Sequence, residues 1–520
     1  MGAIYGVLGD ASLAEVEAMG HRLAHRGSQH TEWSVGSRLH LGQRVARRRH
    51  SSLLPGGFVA LDGFIENLEE AAELLNRPAD LARSSDGEGL ILELFHKFGP
   101  DCLQYFRGAF AIALWDSEHE ALVLARDLFG ARSLSYAALP HRFVFASEYK
   151  ALLTLSDVPA TPNLDAIQFI NSTRSALSDA SCLAQVFPVP PGHWVRVQGS
   201  RLERRRYWQP ELRIARRSEA EHIQVLRDTF LRTVRRQVAP YEKIGVALSG
   251  GLDAASVVAG IRHVAPDREI HTFCAGFGPE DPEMVGAAET AQHFHTVHHD
   301  VVVPPADLFE MLPAMAWHLE DPVGREDIPY IYACAREARG SVDAMFGGHM
   351  IDLLLGGMPR HLLLRIAHLV PPARTLLGDL FRYTRAGQEP RTRLGAAVLR
   401  RYFRGGIFPP PRLRGAANLP ETDLIRISGS EPLTEHLRQS LMRHQGEGGY
   451  DRLQAAFAVD LHTPFGDPEF VCCTFQIPDR LKIRGRIPKY ILREALKGML
   501  PFDLGAPQVV CPAAQRYGAR

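Results

Sequence analysis

The chain has 520 residues, 45% of them hydrophobic, and carries 59 Lys and Arg against 59 Asp and Glu. That length predicts two or three domains with large cores, and the even charge excludes a global field that would gather nucleic acid or an acidic partner. No apolar run is long enough to cross a bilayer, and the N-terminus lacks a basic stretch followed by an apolar one, so the expectation is a soluble, cytoplasmic protein with no membrane contact. Seven scattered cysteines without a C-x-x-C pair suggest neither a zinc site nor a disulfide framework, and Cys472-Cys473 read as core thiols. The arginine clusters (Arg44 with Arg47 to Arg49, Arg201 with Arg204 to Arg206, Arg216-Arg217) read most simply as solvated faces.

In chain order, the opening MGAIYGVLGD reads as a strand, Leu13 to Leu23 as a helix, and His25-Arg26-Gly27-Ser28 as a polar turn. Apolar runs at Phe58 to Phe64, Gly108 to Trp115, Ala121 to Ala125 and Arg142 to Ala146 predict strands, with helices at Leu68 to Leu75 and Gly89 to Lys97. Many short strands and few helices imply a sheet-on-sheet core flanked by helices. A Pro-rich segment, Phe187 to Gly192, precedes a last strand pair, and the helix Ser218 to Val238 leads into a second unit, which sets domains at 1–208 and 209–520.

From Ile244 the pattern changes to alternating strand and helix. The strands expected are Ile244 to Leu248, Ile270 to Gly276, Val297 to Val303 and Val342 to Phe346, with helices at Asp307 to Trp317 and Ile328 to Ala338. Such alternation predicts a doubly wound parallel sheet with ligands at the carboxyl ends of its strands. The run from Ile244 ends in Leu248-Ser249-Gly250-Gly251-Leu252-Asp253 at the start of a helix. Glycines let the backbone approach an anion, and the N–H groups of a helix start point at it. There is no Gly-Lys-Ser/Thr, so this is not a Walker loop. The stretch is similar to SGGLDS of ATP pyrophosphatases, which split ATP into AMP and pyrophosphate, with Ala254 in place of the last Ser.

The first third resembles the glutaminase domain of the asparagine synthetase B family, carried by His25-Arg26-Gly27, Phe106 to Trp115, Ala125 to Gly130 and Phe145 to Leu152. The resemblance implies an Ntn-hydrolase-like sandwich joined to an α/β ATP pyrophosphatase domain. Its nucleophile would be a Cys following Met1, acting with its own α-amine as base. Here Gly2 stands there, followed by Ala3, and Gly has no nucleophile. The family's Asn-Gly-Glu that grips glutamine is Asp62-Gly63-Phe64, and Asp86 stands where the glutamine amine is bound. The expected reading is a retained scaffold without glutaminase activity.

In the second domain, Gly347 to Gly357 is similar to the family's SGEGxDELFGG. The resemblance implies that Asp352 joins Asp253 around Mg2+ and pyrophosphate, the oxygen-rich environment that a hard cation needs, unless Asp352 is a helix N-cap. His349 replaces the family's Glu, thought to deprotonate the amine, and is either a general base or a structural histidine. Leu353 replaces a second Glu. A third block, Leu461 to Val471 and Ile477 to Ala495, implies that Lys489 stabilises charge on the reacting centre; the alternative is a surface lysine on a helix from Pro488 to Leu500, as Lys482 and Lys497 are taken to be. His462 stands for the family Arg, and a later basic segment is degraded to Ala506 to Val510. The nucleotide set expected is Leu248, Ser249, Gly250, Gly251, Leu252, Asp253, Phe273, Gly347 and Gly348, with ATP and Mg2+ as cofactors. The activity expected is an ATP-dependent carbon–nitrogen ligase of the beta-lactam synthetase and lasso-peptide cyclase kind, acting on a carboxylate- and amine-bearing substrate such as a precursor peptide with a partner protease. An asparagine synthetase fed by free ammonia and a non-catalytic homologue are the alternatives. The interval Arg404 to Pro420 is a candidate mobile loop.

Overall fold

The computed structural model describes residues 2–36, 38–45, 53–77, 87–173, 179–322, 327–358, 361–362, 431–443 and 448–500. Asp86, the interval Arg404 to Pro420 and the segment Ala506 to Val510 lie outside them.

The short apolar runs of the first 206 residues pair as two six-stranded antiparallel sheets. In one, Gly2–Gly9 lies between Arg142–Ala146 and Leu39–Val45, with Gln29–Val35 at one edge and Ser135–Ala138 and Phe187–Pro188 at the other. In the other, Gly57–Ile65, Gly108–Asp116, Ala121–Arg126 and His193–Gln198 follow in order between the edge strands Leu53–Leu54 and Arg201–Arg206. The facing sides interdigitate Ile4, Leu41, Phe58, Ala113, Leu124 and Phe145. The outer sides are covered by the helices Leu13–Arg22 and Gly87–Phe98. This is the layered sandwich that alternation and turn spacing implied.

The second unit is a five-stranded parallel sheet with Ile244–Ala247 at its centre, flanked by Ile270–Gly276 then Val297–Val302, and by Ala344–Phe346 then Asp460–His462. Ile244 pairs with Ile270 on one side and Ala344 on the other. Such a strand must be apolar on both faces because helices cover both. Helix Glu219–Val238, opened by a Ser218–Glu221 capping box, lays Phe230 against Gly260 of helix Leu252–Val264, where an added Cβ would come within 2.8 Å of the ring.

Three sequence expectations need correction. Arg44 is buried, its guanidinium donating to the carbonyls of Gly20 and Gly27; the arginine clusters are not all solvated faces. Lys482 is fully buried, donates to Thr434 Oγ1 at 2.9 Å, and is pushed down to about 8 by burial against the pull of Asp479 and Glu431. The helix after Pro488 spans only Tyr490–Ala495, with Lys489 as its N-cap at φ 52°. In each case a long cationic stem is used as packing, which composition alone does not distinguish from a solvated charge.

The two units are joined by a dry charge network. Arg26 donates to Glu148 Oε1 at 2.7 Å, to Asp62 Oδ2 at 3.2 Å and, across the boundary, to Asp451 Oδ2 at 3.1 Å. Arg132 bridges Asp451 and Asp460 at 2.8 Å each. Glu320 accepts the backbone N–H groups of Tyr149 and Lys150. Burial raises the Asp451 carboxyl, but Arg26 and Arg132 outweigh it and hold it below the usual carboxylate range. Removing one partner of such a set strands the others. Arg26→Met should therefore destabilise the chain by roughly 3–5 kcal/mol in urea unfolding; a loss below about 1 kcal/mol, the size of an exposed pair, would mean that water reaches these carboxylates.

Candidate active site

The strand Ile244–Ala247 ends below a loop that is held from behind. The Leu248 N–H donates to the Phe273 carbonyl at 2.9 Å, and the Gly250 N–H to Glu283 Oε2 at 3.1 Å. Gly251 then caps helix Leu252–Val264 with no side-chain cap hydrogen bond, the kind of helix start that suits an anion. Ser249 Oγ accepts the Gly251 N–H at 3.3 Å. The second glycine loop abuts the first: a Cβ on Gly348 would stand 2.6 Å from the Asp253 carbonyl carbon. Only glycine lets the two loops meet.

At this junction Lys489 reaches between the two acids. Its Nζ lies 2.6 and 2.7 Å from the oxygens of Asp253 and 2.6 Å from Asp352 Oδ1. Burial lowers the lysine, yet the two carboxylates more than compensate and leave it raised. Asp253 is pushed up to about 6 by burial, Lys489 opposing and Asp352 adding to the rise. Lys489 and Met350, at φ 52° and 72°, hold left-handed backbone that is costly for their residue types. A Cβ on Gly357 would sit 1.6 Å from Asp352 Oδ1 and 2.2 Å from Lys489 Cε, so the glycine keeps this space open for the three charges. Asp352 is the second residue of helix Ile351–Leu355, whose N-cap is Met350; it is not the cap itself. Among the described residues no three His, Cys, Asp or Glu gather as a metal cage. Two convergent carboxylates do fit Mg2+, which takes one or two carboxylates and completes its shell with phosphate oxygens and water.

His349 stands three residues before Asp352 in the chain, its backbone carbonyl accepting from Thr463 Oγ1 at 3.1 Å and its ring stacked on Tyr450 at 4.6 Å. Gly347 donates its N–H to the His462 carbonyl at 3.0 Å. The Phe273 side chain is 1% exposed, packed with Met345, Val459 and Cys334 and stacked on His299, so only its backbone, whose carbonyl accepts from Leu248, is available to a nucleotide. Leu248 and Leu252 are likewise buried and contribute through backbone alone.

The N-terminal unit presents a different picture. Asp62 is fully buried and bound to Arg26 and to Ser147 Oγ at 3.1 Å, and burial raises its carboxyl against the pull of Arg26 and Arg132. Arg26 Nε donates to the Gly2 carbonyl at 2.6 Å. Phe64 turns toward the second unit and stacks on His462 at 4.5 Å, which stacks in turn on Phe346 at 5.0 Å. Two positions that depart from the family pattern are thus in contact with each other. His462 also meets the Tyr241 hydroxyl at 2.8 Å. The sequence reading missed Glu283, Tyr450, Asp451 and Tyr241. Nothing in their spacing marks them, since each acts through a partner far away in the chain.

Residues 225–505 match the asparagine synthase family and residues 1–208 the glutamine amidotransferase domain. The chain belongs to the asparagine synthase family. It is 27% identical over 499 residues to a putative glutamine-hydrolysing asparagine synthetase of Mycobacterium tuberculosis, covering 89% of this chain and 76% of that one. It is 24% identical over 491 residues to asparagine synthetase 1 of Bacillus subtilis, covering 85% and 73%. As a member of this family the chain is an ATP-dependent carbon–nitrogen ligase with an N-terminal Ntn-type amidotransferase fold.

Burial pushes the His462 imidazole down to about 3. The unfolded chain binds that proton near pH 6.5, so between about pH 6.5 and 3 the unfolded state holds more protons and stability falls as pH falls. His462→Phe keeps the ring stack and removes the proton. Its stability should fall less steeply across this window, by up to about 1.4 kcal/mol per pH unit, in denaturant unfolding at stepped pH; an unchanged slope would mean that the folded state protonates His462 normally.

Proposed function

We propose that this synthetase-family chain activates a carboxylate with ATP and joins it to an amine that does not come from glutamine. The observation that carries this reading is the Lys489 ammonium held 2.6 Å from both Asp253 and Asp352, with Asp253 in the first turn of a helix. Asp253 and Asp352 would hold Mg2+, which when bound neutralises charge on the pyrophosphate leaving group. The substrate carboxylate attacks the α-phosphorus of ATP, pyrophosphate departs, and an amine then attacks the acyl-adenylate to give an amide and AMP. Lys489 supplies a fixed positive charge to both transition states in this reading. His349 takes the proton of the attacking ammonium group.

The amine source follows from the N-terminal unit. Gly2 supplies no nucleophile, and a Cβ there would come within 2.8 Å of the Arg44 carbonyl and 3.3 Å of Asp62 Oδ1. The rings of Phe64, His462 and Phe346 stack in a row where the two units meet, and Phe64 and His462 line a cavity there together with Glu66, Asp127, Met350 and Asp467. An amine entering from solvent, or borne by the substrate itself, suits this arrangement. We read the reaction as lactam or macrolactam closure, the substrate a precursor peptide of the lasso type delivered by a partner protease in the cytoplasm. The relatives' names favour a second reading, asparagine synthesis from free ammonia; AMP formation that requires aspartate and ammonium would single it out.

Gly2→Cys should release no glutamate from glutamine, because Asp62 and Phe64 still occupy the grip; release by that variant would overturn the scaffold reading. Lys489→Met should lose both ATP–pyrophosphate exchange and amide product. His349→Ala should keep exchange and lose product by about 100- to 10,000-fold. Equal loss of both signals in His349→Ala would remove it from the second half-reaction, and an unaffected Lys489→Met would leave the ammonium without a catalytic role.

A further inference from the structure

Tyr450, Asp451 and Arg452 occupy successive positions of the helix Gly448–Ala455, so their side chains leave it about 100° apart and serve three different neighbours. Tyr450 is 3% exposed; its ring stacks on His349 at 4.6 Å and 28°, and its hydroxyl donates to Asp327 Oδ2 at 2.6 Å. Asp451 leaves in the direction of the N-terminal unit, where Arg26, Arg132 and both the N–H and Oγ of Ser133 converge on its carboxylate. Arg452 crosses the same boundary, its guanidinium 4.6 Å over the Tyr149 ring and its Nη1 3.3 Å from Asp321 Oδ2, which also accepts from the Tyr149 hydroxyl. One turn of helix is therefore gripped by the glutaminase-like unit on two sides and presents an aromatic face to His349 on the third.

We infer that Tyr450 is a positioning residue for His349, and that the N-terminal unit, through Asp451, sets where Tyr450 stands. An imidazole has two χ angles to fix before it can meet a proton at a chosen point, and an offset ring stack fixes its plane. Misplacing a reacting group by about 1 Å costs about 10²-fold. Asp451 cannot drift, because its departure would leave Arg26 and Arg132 short of a buried partner. The glutaminase-like unit then has a task that needs none of its former chemistry: it is the anvil against which the amine-side residue of the synthetase is set. This rests on His349 acting in amide formation, and the experiment separates the two.

The test uses the full chain with ring-labelled histidine, the His349 resonance being assigned by its loss in His349→Gln. Ring-current shielding by Tyr450 should place that resonance upfield. Tyr450→Phe keeps the ring and should leave it in place, whereas Tyr450→Leu should return it to an unstacked position. Ser133→Ala and Asp451→Asn, both in the remote grip, should move it in the same direction as Tyr450→Leu; Ser133→Ala, which keeps every charge, serves if Asp451→Asn fails to fold. On activity, Tyr450→Leu should lose about 10²-fold in amide product with pyrophosphate exchange retained, and Tyr450→Phe should restore it. An unmoved resonance in Tyr450→Leu overturns the positioning role. A resonance that moves in Tyr450→Leu but in neither Ser133→Ala nor Asp451→Asn overturns the link to the N-terminal unit. If the resonances behave as stated while His349→Ala forms product normally, the positioning stands and the base assignment fails.

Discussion

Everything at the synthetase centre depends on one ammonium group shared by two carboxylates. Asp253 comes from the first turn of a helix that follows the central strand, Asp352 from a short helix after the neighbouring strand, and Lys489 from a strained turn more than a hundred residues later. None of the three would be stable in this position alone: two like charges in a half-dry site repel, and a buried ammonium is desolvated. Together they neutralise one another, and together they are what a magnesium-bound pyrophosphate and a developing negative charge require. The glycines at 348 and 357 exist to let the three approach, since a methyl group at either would collide with the acids or with the backbone that carries them.

The second constraint is the buried charge network that fastens the units together. A catalytic pocket that loses its nucleophile would ordinarily be free to fill with apolar side chains. Here it has become more charged, with Asp62 at a position where the family carries a neutral amide and Arg26 answering it at 3.2 Å. Such pairs contribute little net stability over an apolar filling, but they fix geometry, because any displacement exposes a buried charge without its partner. The stacked rings of Phe64, His462 and Phe346 add a dry contact beside it. In the proposed reading, the N-terminal unit serves placement.

Much of this was legible in the sequence and some was not. The strand-to-helix change of period at Ile244, the SGGLD loop and the GGHMID turn each sit within a dozen residues, where spacing alone determines which atoms share a strand end. That the Phe273 side chain turns into the core was not legible, because period two leaves the face of a strand residue undetermined until its neighbours are known. Lys482 was misread because a lysine among basic residues looks solvated, whereas a partner 48 positions away, Thr434, holds it inside. The grip of Arg26 and Arg132 on Asp451 spans more than 300 residues, and no local pattern encodes such a contact.

The central claim is that Asp253, Asp352 and Lys489 together form a magnesium–pyrophosphate site, and it can be tested without knowing the acyl substrate. Calorimetric titration of the full chain with inorganic pyrophosphate, in the presence and absence of Mg2+, should show binding that needs the metal, and Asp253→Ala should abolish it in protein whose circular dichroism shows it still folded at the titration temperature. Metal-independent binding, or equal affinity in Asp253→Ala, would contradict the account.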